Sequence, residues 1–226
     1  MFARFAAPVV VDAGSGNAYL AFVLYELFFR DAGKGELVCI EAREDLTRRS
    51  EERARRLGFD RMRFVTARLD EAGVWPERVH LVTALHACDT ATDDALAMAL
   101  ERNADHIAVV PCCQAEVAQQ LKERRGEVTS PAMRELFAHA WHRREFGSHL
   151  TNVIRALTLE SRGYQVTVTE LTGWEHSLKN ELLLGRRVHR ESRDAKRRLE
   201  ALLEETHVAP KLVRMLAEAG RAESNA

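Results

Sequence analysis

Residues 8–20, PVVVDAGSGNAYL, constrain the fold more than any other stretch of this chain. A run of β-branched residues ends in Asp12 and in two spaced glycines, Gly14 and Gly16, and a strongly apolar segment follows. This order predicts a strand, a tight turn and a helix. Because glycine has no Cβ, such a turn lets the backbone approach a ligand, and the first N–H groups of the helix can point at that ligand. We therefore expect a site for a nucleotide-type cofactor.

The spacing of the glycines separates two classes of cofactor. A dinucleotide-binding turn has the pattern G-x-G-x-x-G, and Tyr19 stands where its third glycine is required. The pattern D-x-G-x-G-x-G resembles the first motif of class I S-adenosylmethionine (SAM) methyltransferases, and Asp12, Gly14 and Gly16 fit it. Its last position holds Ala18, a small departure. The turn favours SAM, and an NAD-dependent oxidoreductase stays open as an alternative.

Composition narrows the class of protein. With 226 residues, 46% of them apolar, the chain is long enough to bury a core without disulfides. Its four cysteines form no secreted-type framework, and no stretch has the length of a membrane span or the character of a leader. We therefore expect a soluble, cytoplasmic protein with no membrane partner. The formal net charge of −1 gives no general attraction to nucleic acid, so any basic surface is local.

Short apolar runs alternate with helical segments along most of the chain. After the first strand we expect strands at 36–41, 63–67, 78–85, 106–110, 165–169 and 181–184. Helices are expected at 17–31, 45–57, 90–103, 115–125, 133–144 and 149–161, with a break at 145–148. The alternation predicts an α/β fold. We expect a Rossmann-like, mostly parallel sheet of seven strands with helices on both faces, an antiparallel last strand and added C-terminal helices.

Acidic residues at the ends of the second and third strands are candidate cofactor ligands. Glu41 ends the second strand, where a carboxylate can accept hydrogen bonds from both ribose hydroxyls, although a solvated glutamate is the plainer alternative. Asp70 follows the third strand and is our candidate acceptor for the adenine amino group, on position alone. Tyr19, at the start of the first helix, and His86, in the turn after the fourth strand, complete the expected cofactor contacts.

The turn 86–89 follows the fourth strand, beside the first strand in the predicted sheet. His86 and Asp89 could serve as a general base and the group that orients it, if the turn brings them together. The alternative is that Asp89 caps the next helix while His86 packs. A capping box, Thr90 to Asp93, is expected to open that helix.

Pro111-Cys112-Cys113-Gln114 follows the fifth strand. Adjacent cysteines rarely bind one metal because their side chains diverge, so we expect no metal site, although zinc held with His86 and Cys88 is an alternative. A small apolar wall around the pocket is favoured. Cys112 could instead act as a nucleophile.

Two segments are rich in basic residues. Residues 139–149 combine histidines and arginines with Trp141 and Phe146, which suits an anionic or nucleobase substrate or, equally, an amphipathic lid. From Arg186 the chain becomes strongly basic and helical. We therefore divide it into a SAM-dependent methyltransferase domain at 1–188 and a basic helical extension at 189–226. The extension could contact RNA phosphates or pack as a solvated helix.

Five segments together resemble one family: VDAGSGNAYL, ALHACDTATDDAL, VVPCCQ, REFGSHLTNVIRALTLESRGY and EHSLKNELLLGRR. They are similar to class I SAM-dependent methyltransferases of the group that contains bacterial methyltransferase-domain proteins and the methyltransferase domain of the glutathione S-transferase C-terminal-domain-containing protein. The tRNA 2′-O-methyltransferases of the acceptor stem are more distant. The resemblance covers the chain to about Arg187.

This resemblance implies SAM bound around Asp12, Gly14, Gly16 and Glu41. It also implies a substrate face, with these candidate residues: His86, Asp89, Cys112, Gln114, Lys179 and Asn180. Two departures stand out, because Asn17-Ala18 replaces Lys-Gly and the metal-binding cysteine and histidine modules of the tRNA enzymes are missing.

The sequence therefore predicts a SAM-dependent methyltransferase of unidentified acceptor, with RNA modestly favoured over a small molecule. A SAM-binding module without catalytic activity, which docks a partner through its basic helices, is the alternative from another class.

Overall fold

The computed structural model describes residues 5–85, 87, 90–111, 115–124, 131–136, 138–171, 180–188 and 191–224. Seven strands in these ranges form one sheet in the order β3-β2-β1-β4-β5-β7-β6. The strands are β1 (Val9–Ala13), β2 (Glu36–Glu41), β3 (Met62–Thr66), β4 (Leu81–Leu85), β5 (His106–Val110), β6 (Tyr164–Glu170) and β7 (Glu181–Arg187). The first five strands run parallel, and β7 is antiparallel to both β5 and β6. The predicted fold class is confirmed.

The helices follow the strands as an α/β fold requires. They are α1 (Tyr19–Leu24), α2 (Glu44–Leu57), α3 (Thr90–Glu101), α4 (Ala115–Glu123), α5 (Pro131–Leu136), α6 (Ala140–Ser161), α7 (Arg193–Thr206) and α8 (Lys211–Ser224). A π-helical turn at Tyr25–Phe29 continues α1, and a 3₁₀ turn lies at Ala72–Val74. Within the described part of the chain, no helix is both long and apolar enough to cross a bilayer.

The central strands are apolar on both faces because helices cover the sheet from both sides. Val11, Val38, Val82 and Val109 are fully buried. The chain order reverses between β1 and β4, since β2 lies on one side of β1 and β4 on the other. In such sheets the connections leave a crevice beyond the carboxyl ends of these strands. That crevice is where the candidate site lies.

The first helix differs from the one predicted at 17–31. After Leu24 it widens into the π-helical turn, in which the N–H of Arg30 donates to the carbonyl of Tyr25 at 2.9 Å. The widened turn buries both Tyr25 and Phe29, and the Tyr25 ring stacks on Phe59 with centroids 4.4 Å apart. The outer face of the helix is exposed, at Tyr19, Val23, Leu27 and Phe28.

The predicted break at 145–148 is wrong, because α6 runs unbroken through it. Gly147 does not end the helix. It lets α6 approach α4, since a Cβ on Gly147 would lie 2.9 Å from the backbone nitrogen and Cα of Ala118. The glycine is a packing residue, which its neighbours in sequence do not reveal.

The C-terminal helices pack against the helices that cover the sheet. Leu212 of α8 is buried in the main hydrophobic cluster, and Val208, just before α8, belongs to a second cluster with residues of α4 and α6. Because of these contacts, the described part of 189–226 is not a loosely attached tail. The domain boundary at 188 stays a prediction.

Candidate active site

A cleft of about 470 Å3 opens at the carboxyl edge of the sheet. Its walls come from the carboxyl ends of β1 to β3, from one residue of the turn after β4, and from α3 and α8. The lining residues are Gly14, Ile40, Glu41, Ala42, Arg43, Ala67, Arg68, Leu69, Ala87, Thr90, Ala91, Asp94 and Lys211. The apolar members offer surfaces suited to a purine, and both acidic and basic side chains line the same cleft. The cleft lies where the sequence placed the cofactor.

The glycine turn is held by the end of β2. The N–H groups of Gly14 and Ser15 donate to the carbonyl of Ile40, at 2.8 and 3.1 Å. The N–H of Gly16 donates to Oε2 of Glu41 at 2.8 Å. These three hydrogen bonds lie within the protein and fix the shape of the turn. The expectation that the first N–H groups of the helix point at the ligand stays a prediction.

Three residues of the turn have left-handed backbone conformations. Gly14 and Gly16 have φ values of 70° and 56°, which glycine adopts without steric cost. Ala18, in the last position of the glycine motif, has φ 57° and is fully buried. The resemblance places glycine at this position, and the structure shows the physical reason for that preference. The turn keeps its shape here with alanine in a strained conformation.

Glu41 forms the floor of the cleft. One oxygen accepts from the N–H of Gly16, and the other accepts from the N–H and Nε of Arg43 at 3.0 and 2.9 Å. Burial raises the pKa of Glu41, but the hydrogen bonds from Arg43 and Gly16 outweigh it and hold this pKa below its ordinary value. Glu41 is therefore an anion at neutral pH, as the predicted ribose contact requires, and Oε2, which accepts a single hydrogen bond, keeps a lone pair for a ribose hydroxyl.

Asp12 lies behind the turn instead of in the cleft wall. Its side chain is buried, and Oδ1 accepts from the hydroxyl of Thr83 on β4 at 2.9 Å. Burial raises the pKa of Asp12 from 3.8 to about 6, and the hydrogen bond from Thr83 opposes the rise only in part. Its predicted contact with the cofactor stays a prediction.

Asp70 and Tyr19 also lie outside the lining of the cleft. Both oxygens of Asp70 accept from Arg68, from Nε and a terminal nitrogen, each at 3.0 Å. Asp70 lines a separate cavity of about 580 Å3 between α3 and α8. Tyr19 is exposed, with the guanidinium of Arg53 5.7 Å from its ring centroid. The roles predicted for both residues remain predictions.

Most of the predicted substrate face lies outside the described residues. This applies to His86, Asp89, Cys112, Gln114 and Lys179. Asn180 is described and is buried immediately before β7, where its carbonyl accepts from the N–H of Leu171 at 2.8 Å. Because β7 is antiparallel to β5, Asn180 lies at the same edge of the sheet as the cleft.

A buried polar network at this edge was not predicted. Nε of Arg155 on α6 donates to Oδ1 of Asp93 on α3 at 2.7 Å, and both side chains are almost fully buried. Arg155 also donates to Asn152 at 3.1 Å, and Asn152 donates to Glu181 of β7 at 2.8 Å. Asp93, expected in a capping box, is thus an ion-pair partner. An arginine within an otherwise apolar stretch, VIRAL at 153–157, was the available signal.

The amino-terminal end of α6 extends past the same edge. Asn152 of α6 contacts Glu181, which begins β7 at the carboxyl edge of the parallel strands. From there α6 runs to the amino edge, where β6 begins. Trp141 therefore lies roughly 16 Å in the other direction along the helix axis, at 1.5 Å per residue. Its exposed ring is covered by the guanidinium of Arg144 at 4.2 Å from the centroid. An exposed aromatic and cationic pair thus stands on the cleft side of the molecule.

Comparison with known proteins places this fold and site in context. Residues 2–120, more than half of the chain, match the family model described as "Methyltransferase domain". A search of curated proteins found no match. Among solved structures, an rRNA methylase from Streptococcus thermophilus is 14% identical with a TM-score of 0.52, over 81% of this chain and 88% of that chain.

A methyltransferase from Podospora anserina, bound to S-adenosylhomocysteine (SAH), is also 14% identical, with a TM-score of 0.50, over 80% of this chain and 72% of that chain. At these identities the structures show a shared fold. The predicted enzyme class, a SAM-dependent methyltransferase, is confirmed by the family match and the fold. The chain belongs to the methyltransferase domain family.

Proposed function

We propose that this protein transfers the methyl group of SAM to RNA. One observation carries the cofactor assignment: the cleft is closed by a glycine turn whose N–H groups bond within the protein, above an ionised Glu41. Such a site has a carboxylate for the ribose of a nucleoside cofactor, and the match to the methyltransferase family supports SAM as that cofactor. The bound SAM supplies an electrophilic methyl group.

The chain's part in the reaction is alignment and proton removal. Methyl transfer from a sulfonium is an in-line displacement, so the acceptor atom must be held opposite the leaving sulfur. When the acceptor is a hydroxyl or nitrogen, a base must take its proton. His86 is our candidate base with Asp89 orienting it, and Cys112, Lys179 and Asn180 are candidate contacts to the acceptor.

Two features support RNA as the acceptor class. Trp141 and Arg144 form an exposed stacking pair on the cleft side, and His139 and His142 lie beside them with ring centroids 5.5 Å apart. Aromatic rings and guanidinium planes of this kind stack on unpaired bases. The Streptococcus thermophilus neighbour is named an rRNA methylase. The basic C-terminal helices agree less well, because Arg197 and Arg198 are paired with Asp194 and Glu160.

The test begins with ligand binding by calorimetry. The protein should bind SAM and SAH and show no heat of binding with NAD. Glu41→Gln should weaken SAH binding by roughly tenfold, since an amide is a weaker acceptor than a carboxylate. Glu36→Gln, at the opposite end of β2, is the control and should bind as the wild type does. Binding of NAD in preference to SAH would overturn the assignment.

The second stage measures transfer of tritium from labelled SAM into total RNA, protein and small-molecule extracts. Label that enters RNA and is lost on ribonuclease treatment supports the proposal. His86→Ala should retain SAH binding and lose about 10²–10⁴ in turnover. Label in a small molecule alone would overturn RNA as the acceptor. Binding of SAH without transfer into any fraction would favour the non-catalytic module.

A further inference from the structure

Asp94 on α3 is a buried carboxylate in the wall of the cleft. Nζ of Lys211 lies 2.6 Å from its Oδ1 and 2.8 Å from its Oδ2, so the ammonium bridges both carboxylate oxygens. The Asp94 side chain is 9% exposed and that of Lys211 is 23% exposed. Both residues line the cleft, so the pair presents an acceptor and a donor side by side to a ligand bound there.

Lys211 comes from the C-terminal extension and is held firmly. It is the first residue of α8, and its N–H donates to Oε2 of Glu116 on α4 at 2.9 Å. The next residue, Leu212, is fully buried in the main core. Arg214, one turn further, forms an ion pair with Glu116 at 2.7 Å. The start of α8 is thus fixed against the sheet's helices, and its lysine enters the cleft from outside the family-matched residues 2–120.

The position of the pair within the cleft determines which part of a nucleoside it can contact. Of the described lining residues, Glu41 and Asp94 are the two carboxylates, and the oxygens of Glu41 face Gly16 and Arg43. With the ribose at Glu41, the base extends toward the wall formed by β3 and α3. Leu69, Ala91, Asp94 and Lys211 line this wall.

Resting on the SAM-dependent function above, we propose that Asp94 and Lys211 recognise the hydrogen-bonding edge of the adenine base. Asp94 accepts from the exocyclic amino group, and Lys211 donates to the ring nitrogen N1. Adenine presents this donor and acceptor side by side, and a carboxylate next to an ammonium matches that order. Hypoxanthine has the reverse order, a carbonyl oxygen and an N1–H, so both contacts would become repulsive.

The charge of the pair supports this assignment. Burial raises the pKa of Asp94, and the hydrogen bond and charge of Lys211 oppose the rise. Lys211 thus helps to keep Asp94 in the ionised form that only accepts hydrogen bonds. Asp70, the acceptor predicted from sequence, has both oxygens bound by Arg68 and does not line the cleft.

The experiment compares two nucleosides by calorimetry, SAH and its deaminated analogue S-inosylhomocysteine. Wild-type protein should bind SAH about 10- to 100-fold more tightly. Asp94→Asn and Lys211→Met should each reduce this ratio to about threefold or less, since the amide can turn its N–H₂ to the carbonyl and the methionine loses the N1 donor. Glu101→Gln on α3 and Lys196→Met on α7 are matched controls that should keep the wild-type ratio.

Wild-type discrimination that persists unchanged in both Asp94→Asn and Lys211→Met would overturn the proposal while leaving SAH binding, and therefore the proposed function, intact. The same holds if the wild type binds both nucleosides equally. Failure of the wild type to bind SAH at all would instead overturn the proposed function and this inference with it. Circular dichroism checks that each variant is folded, and Lys211→Met carries the test if Asp94→Asn is not.

Discussion

At the scale of single residues, the buried position of Asp12, the acid of the glycine motif, changes the pKa of its carboxyl group. Its carboxyl is buried behind the glycine turn and bonded to Thr83. Because burial favours the neutral form, the pKa of Asp12 is raised to about 6. The folded protein therefore binds this proton more tightly than the unfolded chain does between pH 3.8 and about 6.

Asp12→Asn should change how stability depends on pH. As the pH rises through that window, the unfolded state releases the proton first, so the contribution of Asp12 to stability is lost and amounts to about 3 kcal/mol. Relative to the asparagine variant, the wild type should therefore be less stable at pH 7.5 than at pH 4 by about 2.5 kcal/mol, since a small part of the contribution is already lost at pH 4. Urea denaturation at both pH values measures the difference.

Asp45→Asn, on the exposed side of α2, is the control and should show little pH-dependent difference from the wild type. A stability difference between wild type and Asp12→Asn that is the same at pH 4 and pH 7.5 would contradict the raised pKa.

At the scale of elements, the contact between α4 and α6 depends on a missing side chain. Gly147 has helical neighbours on both sides and no positive φ to explain it. Its hydrogens face the backbone of Ala118, where a Cβ would be only 2.9 Å away from two backbone atoms. Backbone atoms cannot move aside cheaply, so helix spacing here is set by glycine.

Gly147→Ala should lower the free energy of unfolding by about 1–3 kcal/mol, because overpacking outweighs the better helix propensity of alanine. Gly220→Ala in α8 is the matched control, since nothing lies within 4 Å of its added Cβ. It should leave stability unchanged or raise it by up to about 1 kcal/mol. Thermal and urea denaturation of both variants give the comparison, and equal effects of the two substitutions would refute the packing role.

At the scale of the whole molecule, one buried network ties together elements far apart in sequence. Arg155 of α6 bonds to Asp93 of α3, which directly follows the candidate catalytic turn, and Asn152 continues the network to the start of β7. Burial is the largest influence on the pKa of Asp93 and raises it, while the charge and hydrogen bond of Arg155 lower it. The network thus fixes α3 and β7 relative to α6.

Arg155→Met should destabilise the fold by about 3–5 kcal/mol, because it leaves the buried carboxyl of Asp93 without its counter-ion. Arg197→Met is the control. Its ion pair with Asp194 is exposed, so its loss should cost less than about 1 kcal/mol. Urea denaturation measures both. A small effect of Arg155→Met would mean that the network contributes little to holding these elements together.

The sequence by itself determined the order of strands and helices, the glycine turn and the acid at the end of β2. These are local patterns, in which side-chain period and glycine conformation act over a few residues. Glu36–Glu41 and His106–Val110 were predicted to the residue for this reason. The edge of the sheet at which the cleft opens also followed, because parallel strands share one carboxyl edge.

Only the tertiary structure decided which side chains meet. The continuation of α6 through Gly147 depends on Ala118 of another helix, and the place of Asp12 depends on Thr83 of another strand. Asp94 and Lys211 lie 117 positions apart, and no local pattern joins them. Burial, ion pairing and close backbone contact are properties of packed elements. For that reason the likeness to a methyltransferase was visible in the sequence, whereas the wall of its cleft was not.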